Sequence, residues 1–152
     1  MRSGSGRQLL RFAIAGVLLV SAAGKLLDIA GFTDVLKTYQ AFPDAILLPL
    51  SIAVPLGELA LALWLFSGQF LPAAAVTSVV MHFVYAVWSA VSILRGLRLS
   101  NCGCFGVFWP RRLGWSTVAE DLILMAASFA LATLARGRIP LPTRAGSREG
   151  LA

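Results

Sequence analysis

Cys102 and Cys104, the only two cysteines of the chain, stand one residue apart in the stretch SNCGCFGVFWPRR, residues 100–112. A bridge across one intervening residue closes a small, strained ring, and strained, exposed disulfides are the labile and oxidising ones. Gly103 between them admits the unusual backbone angles that such a ring requires. Arg98, Arg111 and Arg112 lie close by in sequence and favour the thiolate, which is the nucleophilic form of cysteine. The pair therefore reads as a thiol–disulfide exchange centre, with Cys102 attacking and Cys104 resolving. Two other readings use the same residues: a pair of inert cysteines packed as small hydrophobes, and a capture site for a soft cation such as Cu(I). Two thiolates alone make a weak metal site and the single histidine, His82, is distant, so no metal is assigned.

A second set of chemistry-bearing residues lies within apolar runs: Lys25, Glu58, His82, Glu120 and Asp121. Ionisable groups at membrane depth are expensive and face the interior of a bundle, where they need partners. Counting along the helices places Lys25 roughly 21 Å from one surface, level with Glu120 and Asp121, which makes these acids its expected counter-ions. Such a pair reads first as a structural tie between the first and last helices. Glu58 and His82 fall roughly 14–18 Å deep, near the midplane, and are expected to form a second pair. Ser78, His82, Tyr85, Ser89 and Ser92 recur at i, i+4, i+7, i+11 and i+14, so they share one helix face. That face serves either as hydrogen-bonding glue between helices or as a polar seam leading toward the cysteines. In the second case Trp88 and Phe83 would flank a flat slot for a quinone ring.

The elements that must position these residues are apolar. Of 152 residues, 58% are hydrophobic and 13% charged, with a mean hydropathy of +0.80. A soluble domain carries about 25% charged residues, so the lipid bilayer is the expected surrounding. The formal charge of +6 does not indicate nucleic acid, because the basic residues sit at the edges of apolar runs as membrane anchors do. Four runs are long enough to cross a hydrocarbon core of roughly 30 Å: about residues 9–30, 45–66, 70–94 and 117–135. The first also has the form of a signal peptide, with Arg2 and Arg7 before it and Ser21, Ala22 and Ala23 within it. It continues past those small residues and is kept as a span. Ser67, Gly68 and Gln69 imply a tight hairpin between the second and third spans, residues 95–116 form the cysteine loop, and 136–152 read as a basic, disordered tail.

The fold class is thus all-α, an integral membrane four-helix bundle. Arg2, Arg7 and Arg11 at one end of the chain and Arg136, Arg138, Arg144 and Arg148 at the other put both termini, with residues 1–8, in the cytoplasm. The cysteine loop then faces outward, into a compartment where disulfides persist. Arg95, Arg98, Arg111 and Arg112 in that loop run against the charge rule.

Several of these residues carry a family resemblance. Gly24-Lys25 followed by Gly31-Phe32, Tyr39 and Pro43, Pro55 and Glu58, and Cys-Gly-Cys-Phe-Gly before the last helix resemble the MauE branch of the MauE/DoxX membrane proteins, over about residues 8 to 135. The resemblance implies a four-helix protein of the bacterial cytoplasmic membrane connected with thiol redox chemistry. In methylamine-utilising bacteria it implies a link to maturation of methylamine dehydrogenase, whose small subunit needs many disulfides formed in the periplasm. The leading reading is a membrane thiol-redox component that exchanges disulfides with an extracytoplasmic thioredoxin-like partner. A second is a non-catalytic scaffold of a redox assembly, as DoxX-type proteins resemble, with a structural disulfide. A small-molecule or metal transporter is third. No Ser-His-Asp set, phosphate-binding glycine loop or zinc signature supports a hydrolase or nucleotide enzyme.

Overall fold

Long apolar runs in lipid must satisfy their backbone groups internally, and helices do so. The computed structural model describes residues 3–136, and the tail beyond, read above as disordered, lies outside the described residues. The helices are α1 (Ser3–Leu26), α2 (Ile29–Thr38), α3 (Asp44–Ser67), α4 (Leu71–Leu94) and α5 (Trp115–Arg136), with no strand among the described residues. Four of them, α1, α3, α4 and α5, are long and apolar enough to span a membrane.

The first span differs from its expected course: it ends at Leu26, and the chain then starts a separate short helix where a loop was expected. Asp28 caps α2, its carboxylate accepting the Gly31 N–H at 2.8 Å. Phe32, Val35, Leu36 and Tyr39 follow at i, i+3, i+4 and i+7 and are all buried, while Asp34 and Lys37 stay exposed. This one-sided pattern suits a helix lying across the end of the bundle. Its apolar face packs with Leu47, Phe42, Trp88, Val107 and Leu113.

The expected hairpin between α3 and α4 forms where Gly68 adopts the left-handed conformation (φ 70°) and its N–H reaches back to the Trp64 and Leu65 carbonyls. Arg11 donates to the Phe66 carbonyl at 3.1 Å, so a charge expected only as a topology signal also caps α3. Packing is most extensive between α1 and α3 and between α4 and α5, whereas α3 and α4 touch much less despite their short connection. The hairpin half of the bundle holds one apolar core drawn from α1, α3, α4 and α5. The opposite half carries α2 and the cysteine loop, and it is there that the polar residues gather.

Candidate functional site

Two helices running in opposite directions bring the central charges together. Side chains on a helix lean toward its N-terminus. Lys25, in the last turn of α1, therefore leans down into the bundle, and Glu58 on antiparallel α3 leans up toward the cysteine end. They meet at 2.5 Å, with 4% and 0% of their side chains exposed. The expected partners are corrected accordingly: Lys25 pairs with Glu58, not with Glu120 or Asp121. Glu120, near the start of α5, leans toward the loop and forms a two-pronged ion pair with Arg111. That hydrogen bonding holds the Arg111 guanidinium even more firmly protonated than usual. Glu58 does not pair with His82, whose Nδ1–H donates to the Ser78 carbonyl at 2.8 Å.

The pair is embedded in further hydrogen bonds, as a buried charge pair must be. Tyr85 donates to Glu58 at 2.7 Å. Lys25 donates to the Ser21 hydroxyl at 2.8 Å. Ser21 lies 2.9 Å from Glu58 Oε2 and 2.8 Å from the Cys104 carbonyl oxygen. Its single proton serves one of these at a time, so Ser21 joins the ion pair to the main chain of the cysteine loop. Sequence reasoning missed Ser21, although its place one turn before Lys25 was a readable signal.

The loop is held from several sides. Cys102 and Cys104 are joined as a disulfide with Cα atoms 5.5 Å apart. Tyr39 at the end of α2 donates to the Cys102 carbonyl at 2.7 Å. Burial pushes the Tyr39 hydroxyl up to about 12, so it stays a donor at neutral pH. The Cys102 N–H donates to the Arg111 carbonyl at 2.7 Å, so the main chain of Arg111 meets the cysteine while its charge is committed to Glu120. Asn101 accepts the Gly103 N–H at 2.9 Å and donates to the Gly106 carbonyl at 3.1 Å. Gly103 (φ 75°) and Gly106 (φ 72°) both take left-handed conformations. Gly106 also lies directly on Gly24 of α1, where a Cβ on either residue would strike the other segment's backbone.

Beneath the disulfide lies a cavity of about 260 Å³. Lys25, Glu58, His82, Tyr85, Glu120 and Asp121 all border it, so six of the expected polar residues share one space with Cys104. Trp88 borders it as well, stacked on Phe42 at 5.2 Å between ring centres. Phe83 does not: it is 54% exposed on the outer face of α4, so the expected Trp88–Phe83 slot is corrected to a Trp88–Phe42 stack. The serine stripe divides. Ser89 borders the cavity, Ser78 bonds Ser128 of α5 at 2.8 Å and so ties two helices, and Ser92 bonds the Trp88 carbonyl within α4. Cys102 is buried and Cys104 partly exposed. Among the described residues no group of three His, Cys, Asp or Glu could hold a metal ion.

Known proteins with this pattern are found along nearly the whole chain. The family model described as "Methylamine utilisation protein MauE" matches residues 6–135. The methylamine utilization protein MauE of Paracoccus denitrificans is 28% identical over 143 residues, covering 94% of this chain and 77% of that protein. MauE of Paracoccus versutus is 29% identical over 125 residues, with 82% and 67% covered. MauE of Methylorubrum extorquens is 29% identical over 135 residues, with 86% and 68% covered. No solved structure matches the chain. Four apolar spans and these bacterial relatives make it a multi-pass protein of the bacterial inner membrane. With the match running from α1 into α5, the chain belongs to the MauE family of methylamine utilisation proteins.

Proposed function

We propose that this protein is a membrane thiol-redox component of methylamine utilisation, whose Cys102–Cys104 disulfide faces the periplasm and exchanges with a thioredoxin-like partner. The reading extends to maturation of a disulfide-rich, methylamine dehydrogenase-like enzyme. The observation that carries it is a closed pair with one partly accessible member, Cys104, on a loop anchored to a buried ion pair.

Exchange needs access to a sulfur. Burial favours Cys104 over Cys102 as the residue that meets the partner, the reverse of the order read from the motif. A partner thiolate attacks Cys104 Sγ, the Cys102–Cys104 bond breaks, and Cys102 leaves as thiolate. The Cys104 N–H already points at Cys102 Sγ at 3.3 Å and supports that charge. The partner's second thiol then attacks the mixed disulfide, so the partner leaves with a disulfide and the two cysteines are left as thiols.

The scaffold reading is weaker on magnitude. In the chain-entropy account, a bridge closing so short a loop stabilises by roughly 1.5 kcal/mol, against about 3 for a 15-residue loop. A loop already pinned by Tyr39, Asn101 and Ser21 gains less. The test is trapping combined with labelling in intact cells. Cys102→Ser leaves Cys104 to hold the partner as a mixed disulfide, whereas Cys104→Ser holds none. A membrane-impermeant maleimide should label the wild type only after reduction. Thiols that stay reduced, or that label only once the inner membrane is opened, would sink the proposal.

A further inference from the structure

The cavity next to Cys104 has an unusual balance of surfaces. Its walls are mainly apolar and aromatic, with Phe32, Phe42 and Trp88 among them. Yet three polar groups border it with bonding capacity unspent among the described residues. An ammonium has three hydrogens to donate, and Lys25 commits two, to Ser21 and Glu58. The His82 Nδ1–H is committed to the Ser78 carbonyl, which makes Nε2 an acceptor, and Nε2 has no protein partner. The Asp121 carboxyl makes no hydrogen bond. Lys25 and His82 are 4% and 2% exposed, so these two are shielded from bulk water, while Asp121 is half-buried.

A lipid tail seated here would leave the Lys25 donor and the His82 acceptor unmet, and each unmet buried group costs about 1–3 kcal/mol. A flat ring whose two oxygens interconvert between carbonyl and hydroxyl meets them in turn: oxidised, a carbonyl oxygen takes a hydrogen bond from Lys25, and once reduced, a hydroxyl gives one to His82 or Asp121. The volume of about 260 Å³ falls just below the ~300–1,000 Å³ of drug-sized ligand sites, which suits a ring headgroup with its tail left in lipid. Val84 is 53% exposed on the lipid-facing side of α4 and also borders the cavity, so a path from the bilayer is at hand.

We infer that this cavity seats the ring of a membrane quinone, the oxidant that restores the Cys102–Cys104 disulfide. The inference rests on the thiol-exchange reading and supplies its missing electron acceptor. The two thiols give up two electrons and two protons, and the sulfur–sulfur bond forms. The two quinone oxygens take both, becoming the hydroxyls of a hydroquinone that leaves into the bilayer.

The experiment uses reduced full-length protein in phosphatidylcholine–phosphatidylglycerol nanodiscs with decylubiquinone as the probe. The expected result is one hydroquinone per disulfide restored. Val84→Trp, which narrows the lipid-side opening, should slow this step about tenfold or more, about 1.4 kcal/mol or more, while exchange with glutathione disulfide is unchanged. Binding of decylubiquinone to the Cys102→Ser/Cys104→Ser double variant, followed by the part of the tryptophan quenching that is lost on adding Trp88→Phe, tests the seat without electron transfer. Active exchange with glutathione disulfide but neither reduction nor binding of the quinone overturns this inference and leaves the thiol proposal standing. Quinone bound by the double variant with no exchange in the wild type does the opposite.

Discussion

The two halves of the bundle are built from the same four helices by opposite means. In the hairpin half an apolar cluster of twelve residues, six of them alanines, is accompanied by a buried polar contact, Ser78 with Ser128. Lipid tails are as apolar as leucine, so little hydrophobic force draws helices together in a membrane, and small residues that let backbones approach closely carry the packing. In the cysteine half, Lys25 and Glu58 are buried with Ser21, Ser89 and His82, and a cavity stands where side chains could have filled it. Voids and buried charges both reduce stability. The hairpin half gains its packing from small apolar residues, while the cysteine half keeps a buried ion pair and a void that each cost stability.

Three sets of variants test this contrast. Lys25→Met should have the largest effect. It strands Glu58 with only Ser21 and Tyr85, and removing one member of a buried pair costs about 3–5 kcal/mol. Thermal unfolding in detergent measures it, and Lys25→Met with Glu58→Leu should recover most of the loss. If the single variant unfolds like the wild type, the pair is not the keystone of its half. Ala62→Leu, in the hairpin core, should cost about 1–3 kcal/mol by overpacking. The rate of disulfide exchange per folded molecule should be unchanged, and a matching drop in that rate would show that the halves are coupled. Tyr39→Phe should be mildest, at about 1 kcal/mol for one lost hydrogen bond, with faster reduction of the disulfide. Its pH signature is specific. The Tyr39 hydroxyl is raised from 10.0 to about 12 by burial, so its contribution is complete below pH 10 and lost as pH rises through about 12. Unfolding curves of Tyr39→Phe should lack that alkaline step.

The errors made from sequence have a common origin. Depth counting ranked Lys25 level with Glu120 and Asp121, but height does not say which way a side chain faces or leans. The lean toward each N-terminus joins Lys25 to Glu58 across antiparallel helices and turns Glu120 toward Arg111. The count also assumed that the first helix ran on to residue 30, whereas it stops at Leu26 and α2 begins at Ile29. Signals for α2 were present in Asp28 with Gly31 and in the spacing of Phe32, Val35, Leu36 and Tyr39. They were hidden because the apolar run appears continuous through Ala30. Arg95, counted as a charge in conflict with the topology, is a clamp on the Tyr39 and Gln40 carbonyls.

Hydrophobic length, the Gly68 turn and the cysteine spacing were enough to determine four spans, a hairpin and a cysteine pair beyond the third span, because each depends only on neighbours along the chain. Which charges meet, which sulfur is shielded and where a cavity remains were decided by tertiary structure alone. Those outcomes depend on the facing of helices distant in sequence, a rotational and directional quantity that no local pattern encodes.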